Sequence, residues 1–243
     1  MENLNTNLLK SCVNDELREL YKKYWKSLNA VYEADIDLEK QSANPLLISI
    51  ANEEEYSHAD IRLLIFGQET NGWGTENGED EIEDICFMYE EKIYGKYPRI
   101  GLNSQFWIGF NKFVSMLKNR YPSKKVFPIW NNVIKIGKND GKGRPSETIY
   151  NIERNYFRVI REEVSILQPQ ITLFLTGPNY DEIIQNIFGE INFIGVPPYT
   201  SRQLSRLYLE GVEYTFRTYH PNYLLRNNIN NYFTIILEAI KIF

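Results

Sequence analysis

Apolar residues recur at three- and four-residue steps near the start of the chain, which predicts an amphipathic helix over residues 8–30. Short apolar runs typical of buried strands follow at 61–66, 126–130 and 171–175, and an alternating segment at 207–218 predicts a hairpin. Helical patterns lie between and after these strands, at 85–94, 106–117, 146–167, 180–188 and 229–242. Strands that alternate with helices predict an α/β fold, here a three-layer sandwich whose central sheet is mostly parallel and has about four strands.

The length and composition are those of an ordinary folded chain. Its 243 residues, 43% hydrophobic and 24% charged, suffice for one domain over 1–243, with residues 1–60 as a helical extension packed on it. The first residues mix polar and apolar types, and no window is apolar enough to span a membrane, so we expect a cytoplasmic protein.

The inventory of reactive side chains is small. Two cysteines without CxxC spacing and two histidines offer little material for a zinc site, so we expect no metal. We expect no cofactor either, because neither dinucleotide-binding nor P-loop glycine patterns follow a strand. The pattern gives no reason to infer an obligate protein partner. The net charge of −5 argues against a protein that coats nucleic acid without specificity.

Three polar segments follow predicted strands, where ligands bind in open α/β sheets. They are Gly67-Gln68-Glu69-Thr70-Asn71, the pair Asn131-Asn132, and His220-Pro221-Asn222-Tyr223-Leu224. Each alone has an ordinary explanation as a turn, a solvated loop or a helix start, but their order along the chain is distinctive.

That order resembles the uracil-DNA glycosylase superfamily, in which one strand ends in a motif such as G-Q-D-P-Y, another in an asparagine and a late strand in H-P-S-P-L. The resemblance covers residues 61 to 226. It implies that uracil or a related damaged base is excised from DNA by hydrolysis of the N-glycosidic bond, with DNA as the partner.

The resemblance implies a role for each matching residue. Glu69 holds or activates the attacking water and stabilises the positively charged sugar, while His220 stabilises the departing uracil anion. Asn132 reads the base edge, since its amide matches the N3–H and O4 of uracil. Substrate binding is also assigned to Gly67, Gln68, through its backbone amide, and Asn71.

The first motif departs from the family pattern. Thr70 replaces a proline, Asn71 replaces the tyrosine that excludes the thymine methyl group, and Glu69 is one methylene longer than the usual aspartate. The stacking aromatic is assigned to Phe87, although Trp73 is nearer in sequence and a core role for Phe87 fits equally well.

Two segments are predicted to contact DNA. Lys135, Lys138, Lys142 and Arg144 surround three glycines after Asn132, a composition suited to phosphate, although a solvated loop fits too. In the last motif we assign Pro221, Asn222 and Leu224 to DNA, with Leu224 as an apolar wedge that fills the space left by a flipped base.

Two other classes of function remain open. A module that keeps the glycosylase fold without excision would bind a nucleotide or a modified nucleic acid, and the acidic net charge and altered first motif favour it. A hydrolase of small nucleosides or nucleotides would need no positive surface around its pocket.

Overall fold

A sheet with helices on both faces forms the centre of the computed structural model, which describes residues 12–74, 81–95, 104–139 and 141–242. Residues 8–11 of the predicted first helix and most of the acidic segment 75–84 therefore lie outside the described residues. The helices are α1 (Val13–Ala34), α2 (Ile36–Gln41), α3 (Glu53–Ser57), α4 (Ile82–Ile93), α5 (Gln105–Arg120), α6 (Glu147–Tyr156), α7 (Ile160–Leu167), α8 (Asp181–Phe188), α9 (Pro221–Leu224) and α10 (Ile229–Ala239). The strands are β1 (Ile61–Asn71), β2 (Val126–Lys138), β3 (Ile171–Phe174), β4 (Ile194–Gly195), β5 (Leu204–Leu207) and β6 (Tyr214–Thr218).

The described strands form one mixed sheet of six, in the order β2-β1-β3-β6-β5-β4. The pairs β1 with β2, β1 with β3 and β3 with β6 are parallel, and β4 and β5 add an antiparallel edge. The α/β class is therefore confirmed. The predicted number of about four strands is wrong, because two short strands extend the sheet beyond β6.

Opposite faces of β2 meet different helices, because side chains alternate along a strand. Asn131 and Lys135 bind Glu163 of α7 on one face. Trp130 packs its ring against Phe106 and Trp107 of α5 on the other face. Helices thus flank both faces of the sheet.

The outer edge of β2 is covered by the N-terminal part of the chain. The N–H of Ala43 donates to the carbonyl of Gly137 and the N–H of Leu46 to that of Lys135, each at 2.9 Å. Tyr89 of α4 donates its hydroxyl to the carbonyl of Trp130 at 2.7 Å. These contacts satisfy backbone groups that a bare edge strand would expose.

Two elements differ from their predicted extent. Both β1 and β2 continue through the motifs that were expected to follow them, so Gly67 pairs with Asn132 and Glu69 with Ile134 across a continuous ladder. The helix predicted over 146–167 is two helices, α6 and α7, separated at Phe157. That residue is buried among the rings of Tyr21, Tyr24 and Trp25, which explains the break by packing rather than by a helix-breaking residue.

No helix in the described ranges is long and apolar enough to cross a membrane.

Candidate functional site

Gly67, Asn132 and Phe106 meet where β1 and β2 pair, because Gly67 lies opposite Asn132 in the parallel ladder. A β-carbon added at Gly67 would lie 2.5 Å from Oδ1 of Asn132 and 3.0 Å from the Phe106 ring, so only glycine allows this approach. Phe106 lies in the first turn of α5, whose amino end is capped by the hydroxyl of Ser104. The tight contact brings an amide side chain and an aromatic face together.

Asn132 is buried but not fully hydrogen-bonded. Its Oδ1 accepts from Nε1 of Trp130 at 3.1 Å, and its backbone N–H donates to Oδ1 of Asn131 at 2.8 Å. Nδ2 of Asn132 has no partner among the residues that the structure describes. Because an unsatisfied buried donor costs about 1–3 kcal/mol, this amide is suited to donate to a ligand carbonyl.

His220 presents one imidazole nitrogen as a donor. It caps α9 by accepting the N–H of Asn222 at Nδ1, 3.2 Å away, so the neutral ring carries its proton on Nε2. Burial lowers the pKa of His220 to about 4, which keeps the ring neutral at physiological pH. The ring lies stacked 6.3 Å from Phe106, and His220 therefore belongs to the same group as Gly67 and Asn132.

Glu69 carries the carboxylate of the site. It projects to the same face of β1 as Gly67, since residues two apart in a strand share a face. Its Oε2 accepts from the hydroxyl of Tyr180 at 2.6 Å. Burial raises the pKa of Glu69 above its usual range, against the hydrogen bond from Tyr180 and the positive charges of Arg144 and Lys138.

The loop after β2 is tied to the first motif. Oδ1 of Asn71 accepts the N–H of Gly143 at 3.3 Å, so the Asn71 side chain anchors this loop. Gln68 donates from Nε2 to the carbonyl of Thr176 at 2.7 Å, which joins the end of β1 to the end of β3. Both side chains hold the site together.

Lys135 does not contact DNA, contrary to prediction. Its side chain has no exposed surface, and Nζ donates to Glu163 at 2.7 Å and to Oδ1 of Asn131 at 2.8 Å. The basic loop was expected over residues 135–144, but β2 continues to Lys138. Lys138 remains partly exposed, and Lys142 and Arg144 are exposed at the loop.

Two further assignments are corrected. Leu224 has no exposed surface and belongs to the hydrophobic core, so it cannot act as a wedge. Phe87 is 64% exposed on α4 and is not the ring that packs at Gly67, a place taken by Phe106. Pro221 is buried against Gly109 of α5, whereas Asn222 is exposed beside His220.

Sequence reasoning missed Phe106 and Tyr180. Phe106 starts the apolar stripe of α5 and was read as core. Tyr180 ends the short 3-10 helix Pro178–Tyr180 just after β3. The signal for Tyr180 was available, because Thr176-Gly177-Pro178 marks a strand end as Gly67 does.

The two largest described clefts lie away from these residues. One, of about 630 Å³, has Arg62, Gln170 and Glu213 in its lining and lies at the amino ends of β1 and β3. The other, of about 490 Å³, lies beside α6 and α7. Asn132 is 1% exposed, its side chain is bonded to Trp130, and the ring of Phe106 packs against that of Trp130.

Neither a model of a known protein family nor a curated protein sequence matches this chain.

Proposed function

We propose that this protein is a uracil-DNA glycosylase-like hydrolase, with a three-layer sandwich fold, that excises uracil or a related damaged base from DNA. The observation that carries the proposal is the buried, unpartnered Nδ2 of Asn132 beside Phe106 and the neutral ring of His220. An amide that reads a base edge, a ring for stacking and a donor for the leaving group are what base excision needs.

The amide of Asn132 matches uracil rather than cytosine. Nδ2 donates to O4 of uracil, and Oδ1 accepts from N3–H with the lone pair that Trp130 leaves free. Cytosine presents an amino donor and an unprotonated nitrogen at these positions, and both would oppose the amide. Base choice therefore belongs to Asn132.

His220 acts on the charge that develops during cleavage. As the glycosidic bond breaks, negative charge grows on the base, and Nε2–H of His220 donates to O2. A donor aimed at charge that appears only in the transition state raises the rate without strengthening ground-state binding. Because the pKa of His220 is lowered, the ring is neutral and donates a hydrogen bond without giving up its proton.

Glu69 acts on the sugar. Its carboxylate holds the attacking water and stabilises the positive sugar. The base leaves as an anion with the bonding electron pair, and the water adds to the anomeric carbon as one of its protons passes to Glu69. Lys138 and Arg144 act electrostatically on Glu69 and, with the exposed Lys142 of the same loop, supply cations for the strand that carries this sugar.

The test is single-turnover excision of uracil and cytosine from matched oligonucleotides by wild type and three variants. Asn132→Asp should shift base preference toward cytosine, because a carboxylate accepts from the cytosine amino group. Glu69→Gln and His220→Ala should each lose on the order of 10²–10³ in rate with preference unchanged.

Matched controls come from α3 and its C-cap, just before the amino end of β1. Glu54→Gln and His58→Ala make the same changes at exposed positions and should leave excision as in wild type. Excision by Glu69→Gln at the wild-type rate would remove Glu69 from the mechanism. Absence of excision by wild type on both bases would reject the proposal.

A binding module without excision is the second candidate, and one observation favours it. Asn132 is 1% exposed and lines neither the 630 Å³ nor the 490 Å³ cleft, so neither cleft offers room for a leaving base beside it. Such a module would protect a modified nucleotide or strand without releasing its base. Binding of a uracil-containing oligonucleotide that depends on Asn132 but yields no free base would support it.

A further inference from the structure

A second concave surface lies on the face of the sheet that carries α6 and α7. It is a cleft of about 490 Å³ with aromatic and basic walls, including Tyr24, Tyr150, Arg154, Arg158, Arg161 and Asn186. The larger cleft at the amino ends of the strands combines two arginines with Glu190, Glu210 and Glu213, so its charges offset one another. Only the smaller of the two has an excess of cations.

The cations of the smaller cleft are largely uncommitted. Arg154 and Arg158 have no carboxylate partner among the described residues, whereas Arg161 pairs with Glu210 at 3.2 Å. Glu162, the exposed acid of the cleft, is bound by Lys23 and by the hydroxyl of Tyr24. In a chain with a net charge of −5, this local excess of positive charge is an anion-binding feature rather than a general property of the surface.

Tyr150 connects this cleft to the candidate site. Its ring lies between two guanidinium groups, with Arg144 at 5.3 Å and Arg154 at 5.7 Å from the ring centroid. Arg144 also acts electrostatically on Glu69 and on Tyr180. Tyr150 and Arg154 lie one turn apart on α6, and Arg158, in the segment after α6, lines the same cleft, so a basic and aromatic row leads from Arg144 into the cleft.

We infer that this row, formed by Arg144, Tyr150, Arg154 and Arg158, binds the phosphates of a single nucleic-acid strand that extends from the candidate site. The inference rests on the proposed function for its choice of a strand as the ligand. Guanidinium groups bind phosphate with paired donors, and the buried ring of Tyr150 packs beside two of them. A cleft in a helical layer admits one strand more readily than a rigid duplex.

The test compares binding of a fluorescein-labelled, uracil-free single-stranded oligonucleotide across salt concentrations. The double variant Arg154→Gln/Arg158→Gln should reduce the slope of log affinity against log salt by about 1.4, the value for two phosphate contacts on a single strand. If the variant and wild type bind equally at 1 M salt, the variant should bind about 25-fold more weakly than wild type at 0.1 M salt.

The matched control is Lys118→Gln/Arg120→Gln, which removes the same charge from the exposed end of α5. An equal slope in the two double variants would overturn the inference, because net charge alone would then explain the effect. Absence of oligonucleotide binding by wild type would also overturn it. So would a double variant that loses as much affinity for a mononucleotide as for the oligonucleotide. If the slope falls as expected while wild type releases no uracil, the inference stands and the proposed excision fails.

Discussion

At the scale of single residues, the candidate site depends on side chains whose environment differs from what their sequence position indicates. Lys135 was predicted on a basic loop and is buried against Glu163, because β2 continues past Asn132 and turns this residue toward α7. No periodicity in one sequence shows where such a ladder ends, since the partner strand decides it. Phe106 was likewise visible only as an apolar helix position.

Phe106 should matter for excision more than Phe87, although the sequence favoured Phe87. Phe106→Ala removes the ring that packs at Gly67 and stacks on His220, and a base stacked on an aromatic ring gains about 1–3 kcal/mol. Single-turnover excision should therefore fall by about 5- to 150-fold. Phe87→Ala, which removes an exposed ring on α4, is the control and should stay within about twofold of wild type by the same stacking argument. Equal losses in both variants would contradict the assignment.

Tyr180 should set the pH range over which Glu69 works. The hydroxyl of Tyr180 donates to the Glu69 carboxylate, which favours the charged form and opposes the rise in pKa caused by burial. Tyr180→Phe should move the acidic limb of the pH–rate profile upward by about one to two units, because a hydrogen bond to a charged group contributes about 1.5–3 kcal/mol.

The exposed Tyr156 provides the control for this change, since Tyr156→Phe removes a hydroxyl that is not among the groups acting on Glu69. Titration of the ¹³C-labelled Glu69 carboxyl group by NMR measures the same shift without relying on turnover. A titration midpoint that is the same in Tyr180→Phe and wild type would refute this role.

At the scale of elements, the approach of α5 to α9 fixes the position of His220. Gly109 of α5 lies directly against Pro221, and an added β-carbon would fall 2.5 Å from Cγ and 2.6 Å from Cβ of that ring. The His-Pro motif was readable from the sequence, but the glycine that admits it was not, because the two are far apart along the chain. The same reason hid the covering of β2 by residues near Ala43.

Gly109→Ala should destabilise the protein although alanine is the better helix former. The propensity gain is about 1 kcal/mol, whereas forcing an atom into a packed contact costs about 1–3 kcal/mol and displaces α9. We expect a lower urea midpoint together with slower excision, since His220 moves with α9. Ser115→Ala, at an exposed position of the same helix, gives the propensity gain without the contact. A stability of Gly109→Ala above that of Ser115→Ala would show that the contact relaxes at no cost.

At the scale of the whole molecule, the α/β class was predictable because apolar runs and helical periods alternate along the chain. The two short strands β4 and β5 were not fully predicted, because β4 has only two residues and owes its pairing to β5. Charge likewise has one property that the sequence gives and another that only the fold shows. The net charge of −5 is read from the composition, whereas the grouping of Arg154 and Arg158 in one cleft requires the fold.

Folding stability should respond to pH through two buried groups with opposite signs. Burial raises the pKa of Glu153 to about 7 from 4.5 and lowers that of His220 to about 4 from 6.5. The folded state therefore holds the Glu153 proton more tightly than the unfolded chain, so this contribution to stability is complete below pH 4.5 and is lost as the pH rises to about 7. The His220 contribution is complete above pH 6.5 and is lost as the pH falls to about 4.

Removing each group should change the pH dependence of stability in opposite directions relative to wild type. Between pH 4.5 and 7, Glu153→Gln should gain stability relative to wild type as the pH rises, and His220→Gln should gain it as the pH falls. Each relative change should be about 3 kcal/mol at most, from 1.36 kcal/mol per pKa unit. Urea unfolding at pH 4.5, 5.5 and 7 measures both, and differences from wild type cancel the raised pKa values of Glu69 and Asp181. Parallel stability curves for wild type and Glu153→Gln would mean that Glu153 keeps an ordinary pKa in the folded state.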